Sequence, residues 1–372
     1  MRQLHAALFC SFTALAGPLA GAQAPTAKEP PYPKTGIDFS GVDQFYKIAD
    51  ILAKDVEPSE AQWRALLATP GYRIVLIEND EMRALIDLAL KPSRKPKRDS
   101  VFKTDGDGAR VLNHLITAAH NRADVLKTCA ILERSLRDSI AAAVPRTTRY
   151  LPKGTIERFP TPLIAFAVFA DDGFAEEPGI LLDPLYVQEN GIVELLSHEL
   201  HHSYTGMIHH VKRRSAFEGQ PRPADLDLFF AVMHLRNEGI ADQVDKPYPL
   251  PSNPKMTWYA TGYNAAYAKT PAVLHTLDSL LAVAAEHPAQ VGAAGAQANR
   301  ILWSNGHPNG AYMARTIVQT FGIDSLMPGV YSPIAFFRTF AAAEVQRGNP
   351  PPFSAKAMSE LAVLEKGYIT QP

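Results

Sequence analysis

Residues 198–202 read His-Glu-Leu-His-His, the pattern H-E-x-x-H, and that spacing makes chemical sense only on an α-helix. Four residues apart on a helix, His198 and His202 project from one face, with Glu199 one step round from the first. The neighbouring residues agree. Ile192, Val193, Leu195, Leu196 and Leu200 supply an apolar side, Asn190 offers an N-terminal cap, and Gly206 offers a left-handed stop. Two imidazoles on one helical face can hold one Zn²⁺, and the adjacent carboxylate can poise a water beside it. Such a site needs a third protein ligand from elsewhere in the chain.

The rest of the sequence sets the frame for that site. With 372 residues, 46% of them hydrophobic and 20% charged, the chain can bury a core without a disulfide or metal staple. A metal would therefore serve function rather than folding. Lys plus Arg number 37 against 38 Asp plus Glu, so no broad positive field exists to attract nucleic acid, and that class of partner is excluded. Arg2, the apolar run Leu4 to Leu19 and Ala20-Gly21-Ala22 read as a secretory signal peptide over residues 1–22, cut after Ala22. Gly17 and Pro18 break the run, which is also short for a permanent span. The mature chain is expected to be exported, periplasmic or extracellular, without a transmembrane anchor. Losing Cys10 with the signal leaves Cys129 without an internal disulfide partner.

Residues 23–35 (QAPTAKEPPYPKT) suit a disordered linker, and order is expected from about Gly36. A helical N-terminal region over residues 36–150 follows. Phe45, Ile48, Ile51 and Leu52 recur at helical spacing, Pro58-Ser59-Glu60 opens a second helix carrying Trp63, Leu66 and Leu67, and Pro70-Gly71 stops it. Lys91, Arg94, Lys95, Lys97 and Arg98, interrupted by Pro92 and Pro96, read as a solvated loop. Ala109 to Val144 reads as one or two long helices ended by Pro145. Pro162 to Ala170 and Gly179 to Asp183 are short apolar runs of strand length, and the chain beyond Asn190 is helical again. The expected class is α+β, mainly α, with a small sheet in the middle.

The third ligand is sought at Asn237-Glu238-Gly239-Ile240-Ala241-Asp242, within a helical pattern from about Asp225 to Val244. Glu238 and Asp242 share a face, so one carboxylate can bind zinc while the other accepts a hydrogen bond from a liganding imidazole. With His198, Glu199 and His202, these residues resemble the gluzincin metallopeptidases, whose pattern is H-E-x-x-H followed by N-E-x-x-x-D or N-E-G-x-A. The spacer departs from that pattern: 35 residues separate His202 from Glu238, about twice the family's length. The layout is also similar to a group of exported bacterial proteins described only as zinc-dependent peptidases. The resemblance implies a zincin-like core within residues 151–372, roughly Leu163 to Gly322, with an HExxH helix and a helical C-terminal part. It implies one zinc per chain on His198, His202 and Glu238, with Asp242 and Asn237 behind the ligands. It also implies that Gly179, Ile180, Leu181 and Leu182 form an edge strand that pairs with substrate backbone, with ordinary sheet core the equal alternative for the same run.

Competing candidates remain at this stage. His234, one turn before Glu238, and His209, one residue late for an H-E-x-x-H-x-x-G-x-x-H pattern, are rival third ligands. His201 reads as a surface histidine and His210 as a residue behind the ligands. In Gly306-His307-Pro308-Asn309-Gly310-Ala311-Tyr312, Tyr312 is the candidate oxyanion stabiliser and equally reads as a core aromatic with its hydroxyl satisfied; His307 is the alternative stabiliser, though it and Arg315 read first as packing. Tyr259, Tyr263 and Tyr267 read as a packing stripe. The expected function is an exported zinc peptidase acting on a peptide or protein substrate, with Glu199 as general base. Its rivals are a zinc hydrolase of a non-peptide amide or ester and an inactive zincin-like binding protein.

Overall fold

A computed structural model describes residues 36–75, 79–103, 107–176, 179–208, 210–211, 223–252 and 257–370. The expected signal peptide and linker, and His209, lie outside these residues. The chain forms two units, residues 36–139 with 160–195, and residues 140–159 with 196–370. The chain passes between the units more than once, at residues 139–140, 159–160 and 195–196. Pairing explains part of this: the first strand joins the central sheet, which ties the N-terminal helices to residues 160–195.

In the first unit β1 (Gly36–Asp38) is followed by helices α1 (Ser40–Leu52), α2 (Glu60–Leu67) and α3 (Pro70–Ile74). Helix α1 buries Phe45, Tyr46, Ile48 and Leu52, the expected stripe shifted slightly off Ile51. Ser59 closes a capping box with Gln62 at the start of α2, whose Trp63 and Leu66 are buried. Pro70 begins α3 rather than only ending α2, since its fixed φ and missing N–H suit a first helical position. The basic run is helical too, a 3₁₀ turn at Pro92–Arg94 and then α4 (Lys95–Phe102). Its two prolines sit at helix starts. Helices α5 (Asp107–His120) and α6 (Arg122–Thr148) follow, and α6 runs through Pro145. That proline is three residues from the helix end, where little helix remains to be disrupted.

The sheet holds β2 (Leu163–Phe166), β3 (Gly173–Glu176) and β4 (Gly179–Leu182) in the order β1-β2-β4-β3. β1 and β4 run parallel to β2, and β3 pairs antiparallel with β4. Every residue of β2 and β4 is buried, as unbroken apolar runs require. Gly179, Ile180, Leu181 and Leu182 therefore do not form an edge strand. Their backbone groups are engaged by β2 on one side and β3 on the other, leaving no free edge for a substrate.

Asp183 ends β4 and caps α7 (Pro184–Asn190). It is fully buried and accepts from Leu185 N at 2.8 Å, Phe169 N at 3.0 Å and His114 Nε2 at 2.8 Å. Burial pulls the His114 pKa down, but the charge of Asp183 and the hydrogen bond to it outweigh burial, and the net shift is upward. A raised folded-state value stabilises fully below the unfolded imidazole's pKa of about 6.5 and loses that contribution as pH rises through the folded value. The stability cost of His114→Gln should then be larger at about pH 5.5 than at about pH 9, read by urea unfolding of both proteins. An equal cost at both pH values would contradict the ion pair.

The second unit is helical. It takes in α8 (Ile192–Ile208) from Leu196, α9 (Leu226–Asp245), α10 (Thr257–Ala268), α11 (Thr270–Glu286), α12 (Val291–Ile301), α13 (His307–Phe321) and α14 (Pro333–Gln346). Helix α9 is buried on most of its circumference, by Leu228, Phe229, Val232, Leu235 and Ile240 among others, so it runs through the middle of this unit. Helices α12 and α13 pack on it. Among the described residues no helix is long and apolar enough to cross a membrane. The mainly helical α+β class holds.

Candidate metal centre

Helix α8 carries His198, Glu199 and His202 as the spacing dictates, but its ends differ from expectation. Gly206 lies within the helix and not in a left-handed stop, and Asn190 donates to Tyr186 O at 3.0 Å, closing α7 instead. Thr147 Oγ1 donates to Ser197 O at 2.8 Å, and His201 Nε2 meets Tyr150 O at 3.2 Å, so the end of α6 and its following loop hold α8 in place. His201 is 1% exposed, a buried anchor rather than a surface residue, with its ring against the Tyr150 carbonyl and 6.3 Å from the ring of His202. His210 lies in a short strand, His210–Val211.

The third element is α9, which reaches the site by unusually close contact with α13. A Cβ on Gly239 would lie 2.5 Å from the Gly310 carbonyl carbon, and one on Gly310 only 2.1 Å from Leu235 O. Only glycine at both positions lets the two backbones touch, which gives the glycine of the N-E-G segment a packing role. Just before α13, Ser304, Asn305 and Gly306 adopt left-handed conformations in succession (φ 48°, 52° and 82°) and turn the chain so that His307 opens the helix beside Glu238.

Four side chains meet there. His202 Nε2 lies 2.9 Å from His198 Nε2, and Glu238 Oε2 lies 3.3 Å from His198 Nε2 and 3.1 Å from His202 Nε2. His307 Nε2 is 3.2 Å from the same oxygen. Tetrahedral zinc, bonded at about 2.0–2.1 Å, sets its ligand atoms about 3.3–3.4 Å apart, close to the separations among His198, His202 and Glu238. The donor set, two imidazoles and a carboxylate, is one that zinc takes. His198, Glu238 and His307 also form a group whose ligand atoms all lie within 4.8 Å of one another. Glu199 is 6% exposed, one position along from His198.

Behind these atoms stands a second layer of charge. Asp245 Oδ1 lies 3.0 Å from His198 Nδ1, and Asp242 Oδ1 lies 2.9 Å from His307 Nδ1. The nearest imidazole to Asp242 is thus that of His307; His198 Nδ1 is 3.7 Å away, too far for a hydrogen bond. Tyr263 donates to Asp242 Oδ2 at 2.9 Å, so the tyrosine stripe is more than packing. Lys246 Nζ lies 2.8 Å from Asp242 Oδ1 and 2.9 Å from Asp245 Oδ2.

Burial and Lys246 both work against a charge on His198, but Asp245 and the hydrogen bond to Glu238 outweigh them and push its pKa up to about 10. Burial also opposes ionisation of Glu238, yet His307 and His202 hold its carboxyl well below the usual range. His202 is moved down by burial, against the pull of Glu238. A pocket whose carboxylates favour positive charge among them suits a cation, whose binding would release the proton on His198.

The other sequence candidates fall outside this cluster. His234 stacks on Phe230 with ring centroids 6.1 Å apart, and burial lowers its pKa against the pull of the neighbouring Glu238. The side-chain carbonyl of Asn237 is buried and has no hydrogen-bond partner among the described residues. Tyr312 packs between Tyr267 and Phe340, at 5.4 and 6.2 Å, with its hydroxyl bonded to Thr316. It lies five positions after His307, which on a helix turns it about 140° away from the site. Arg315 donates to Lys246 O at 3.0 Å.

His307, Asp245, Lys246 and Tyr263 are the residues that sequence reasoning left aside. For two of them the signal was present: Glu238, Asp242, Asp245 and Lys246 fall at i, i+4, i+7 and i+8, one charged face on a helix otherwise buried.

A family model described as "Putative zinc dependent peptidase (DUF5700)" matches residues 63–346. No curated protein and no solved structure matches the chain. The matched stretch contains α8, α9 and α13, and with them every side chain of the cluster. Matched over well more than half of its length, the chain belongs to the family of that description.

Proposed function

We propose that the protein is an exported peptidase that hydrolyses peptide bonds with one zinc held by His198, His202 and Glu238. The convergence of those three ligand atoms within 2.9–3.3 Å of one another carries the reading. Export is supported by the character of residues 1–22. When bound, zinc supplies a water of lowered pKa and polarises the scissile carbonyl. Asp245 accepts from His198 Nδ1–H and so leaves the Nε2 lone pair for coordination. Glu199 takes the proton from the attacking water and delivers it to the leaving amine.

His307 replaces Tyr312 as the group that steadies the developing oxyanion. Asp242 fixes its Nδ1, which leaves Nε2 at the edge of the site beside Glu238, where a donor would meet the developing charge. His307→Gln should lower kcat by about 10²–10³-fold while zinc stays bound. Single-turnover peptide hydrolysis and metal content of that variant check it: zinc lost as completely as in His202→Ala would make His307 a ligand and remove it from this role.

A further inference from the structure

Asp242 and Asp245 are both buried, with side chains 0% and 9% exposed, and both face His198 Nδ1, at 3.7 and 3.0 Å. Two carboxylates this close in a buried setting repel, and each must nevertheless stay anionic to hold its histidine. Tyr263 and the histidines supply hydrogen bonds to them. Lys246 supplies the charge. It follows Asp245 in sequence and stands one helical turn from Asp242, and its Nζ lies 2.8 Å from Asp242 Oδ1, 2.9 Å from Asp245 Oδ2 and 3.3 Å from His198 Nδ1. The Asp242 oxygen it touches is the one facing His307, and the Asp245 carboxylate it touches is the one facing His198.

We propose that Lys246 is a positioning residue of the metal centre, a tethered cation that binds Asp242 and Asp245 together and so keeps His198 and His307 turned with Nε2 toward Glu238. The inference rests on the zinc-site reading above and adds the group that keeps its supporting carboxylates in place. The ammonium acts chiefly through the aspartates: it donates to them, they accept from the imidazoles, and His198 then presents its far nitrogen to the metal while His307 presents its own beside Glu238.

Zinc affinity, measured by competition with a chromophoric chelator, tests this without reference to activity. Lys246→Ala should weaken zinc about 10- to 100-fold, as loss of support behind a ligand does. The Lys246 side chain is 16% exposed, so the space it leaves can be reached from solvent. Butylammonium should restore most of the affinity and 1-butanol none, since charge and not volume is what was removed. In an Asp242→Asn, Asp245→Asn background, adding Lys246→Ala should cost less than about 2-fold, because no carboxylates remain to be held.

Wild-type affinity in Lys246→Ala, equal rescue by 1-butanol, or an equal loss in the double-asparagine background would each overturn the proposal. Should Lys246→Ala fail to fold, the comparison of the double-asparagine protein with and without that change decides alone. A wild-type chain that binds no zinc is a different result, the failure of the metal site itself.

Discussion

Glu199→Gln should leave about one zinc on the folded chain and lower peptide hydrolysis by about 10²–10⁴-fold, the range a positioned general base contributes. Glutamine keeps the length and shape of the side chain and so preserves the packing of a residue that is 6% exposed. It removes the one property the mechanism needs, a carboxylate able to take a proton. Because Glu199 is one step round the helix from His198, it does not share the ligand face, and the metal should not notice the change. Comparing metal content with turnover in the same preparation separates the roles. A variant as active as wild type would remove Glu199 from the mechanism.

The second large effect concerns Glu238. Its Oε2 lies 3.1–3.3 Å from three imidazole nitrogens, so removing it takes away the anion that the histidines surround. Glu238→Ala should weaken zinc by more than about 100-fold, since a ligand is worth more than the residues that support it. His234→Ala should change affinity little, because that ring stacks on Phe230 outside the cluster. Asp242→Ala falls between them, at about 10- to 100-fold. Titration of the three variants against a common chelator orders them, and a Glu238→Ala protein that holds zinc like wild type would reassign the third ligand.

How far the site could be read in advance depended on periodicity. His198 with His202, and Glu238 with Asp242, lie four apart on single helices, and a 3.6-residue repeat fixes such pairs on one face wherever the helix goes. His307 obeys no such rule. It reaches Glu238 because three left-handed residues turn the chain before α13 and because Gly239 and Gly310 let two backbones touch. Neither event has a periodic signature. Tyr312, five residues further on, was attractive for its chemistry and was carried to another face by the same helix. Asp245 and Lys246 were legible as an extension of the Glu238 face.

The sheet shows a related limit. The apolar runs at Leu163–Phe166 and Gly179–Leu182 announce strands, yet strand order is a matter of pairing between distant residues. β4 became central because Gly173–Glu176, too polar at one end to stand out, folded back against it. Pro145 misled in the other direction, since a proline three residues from the end of a helix costs far less than one in its middle.

The central claim, zinc-dependent cleavage of peptide bonds, is tested most directly by incubating the purified protein with a mixed peptide library and reading the products by mass spectrometry. The expected result is new termini within the library, lost on treatment with a zinc chelator and recovered when about one equivalent of Zn²⁺ per chain is returned. Peptides left intact by the zinc-loaded protein, or cleavage indifferent to the chelator, would contradict it.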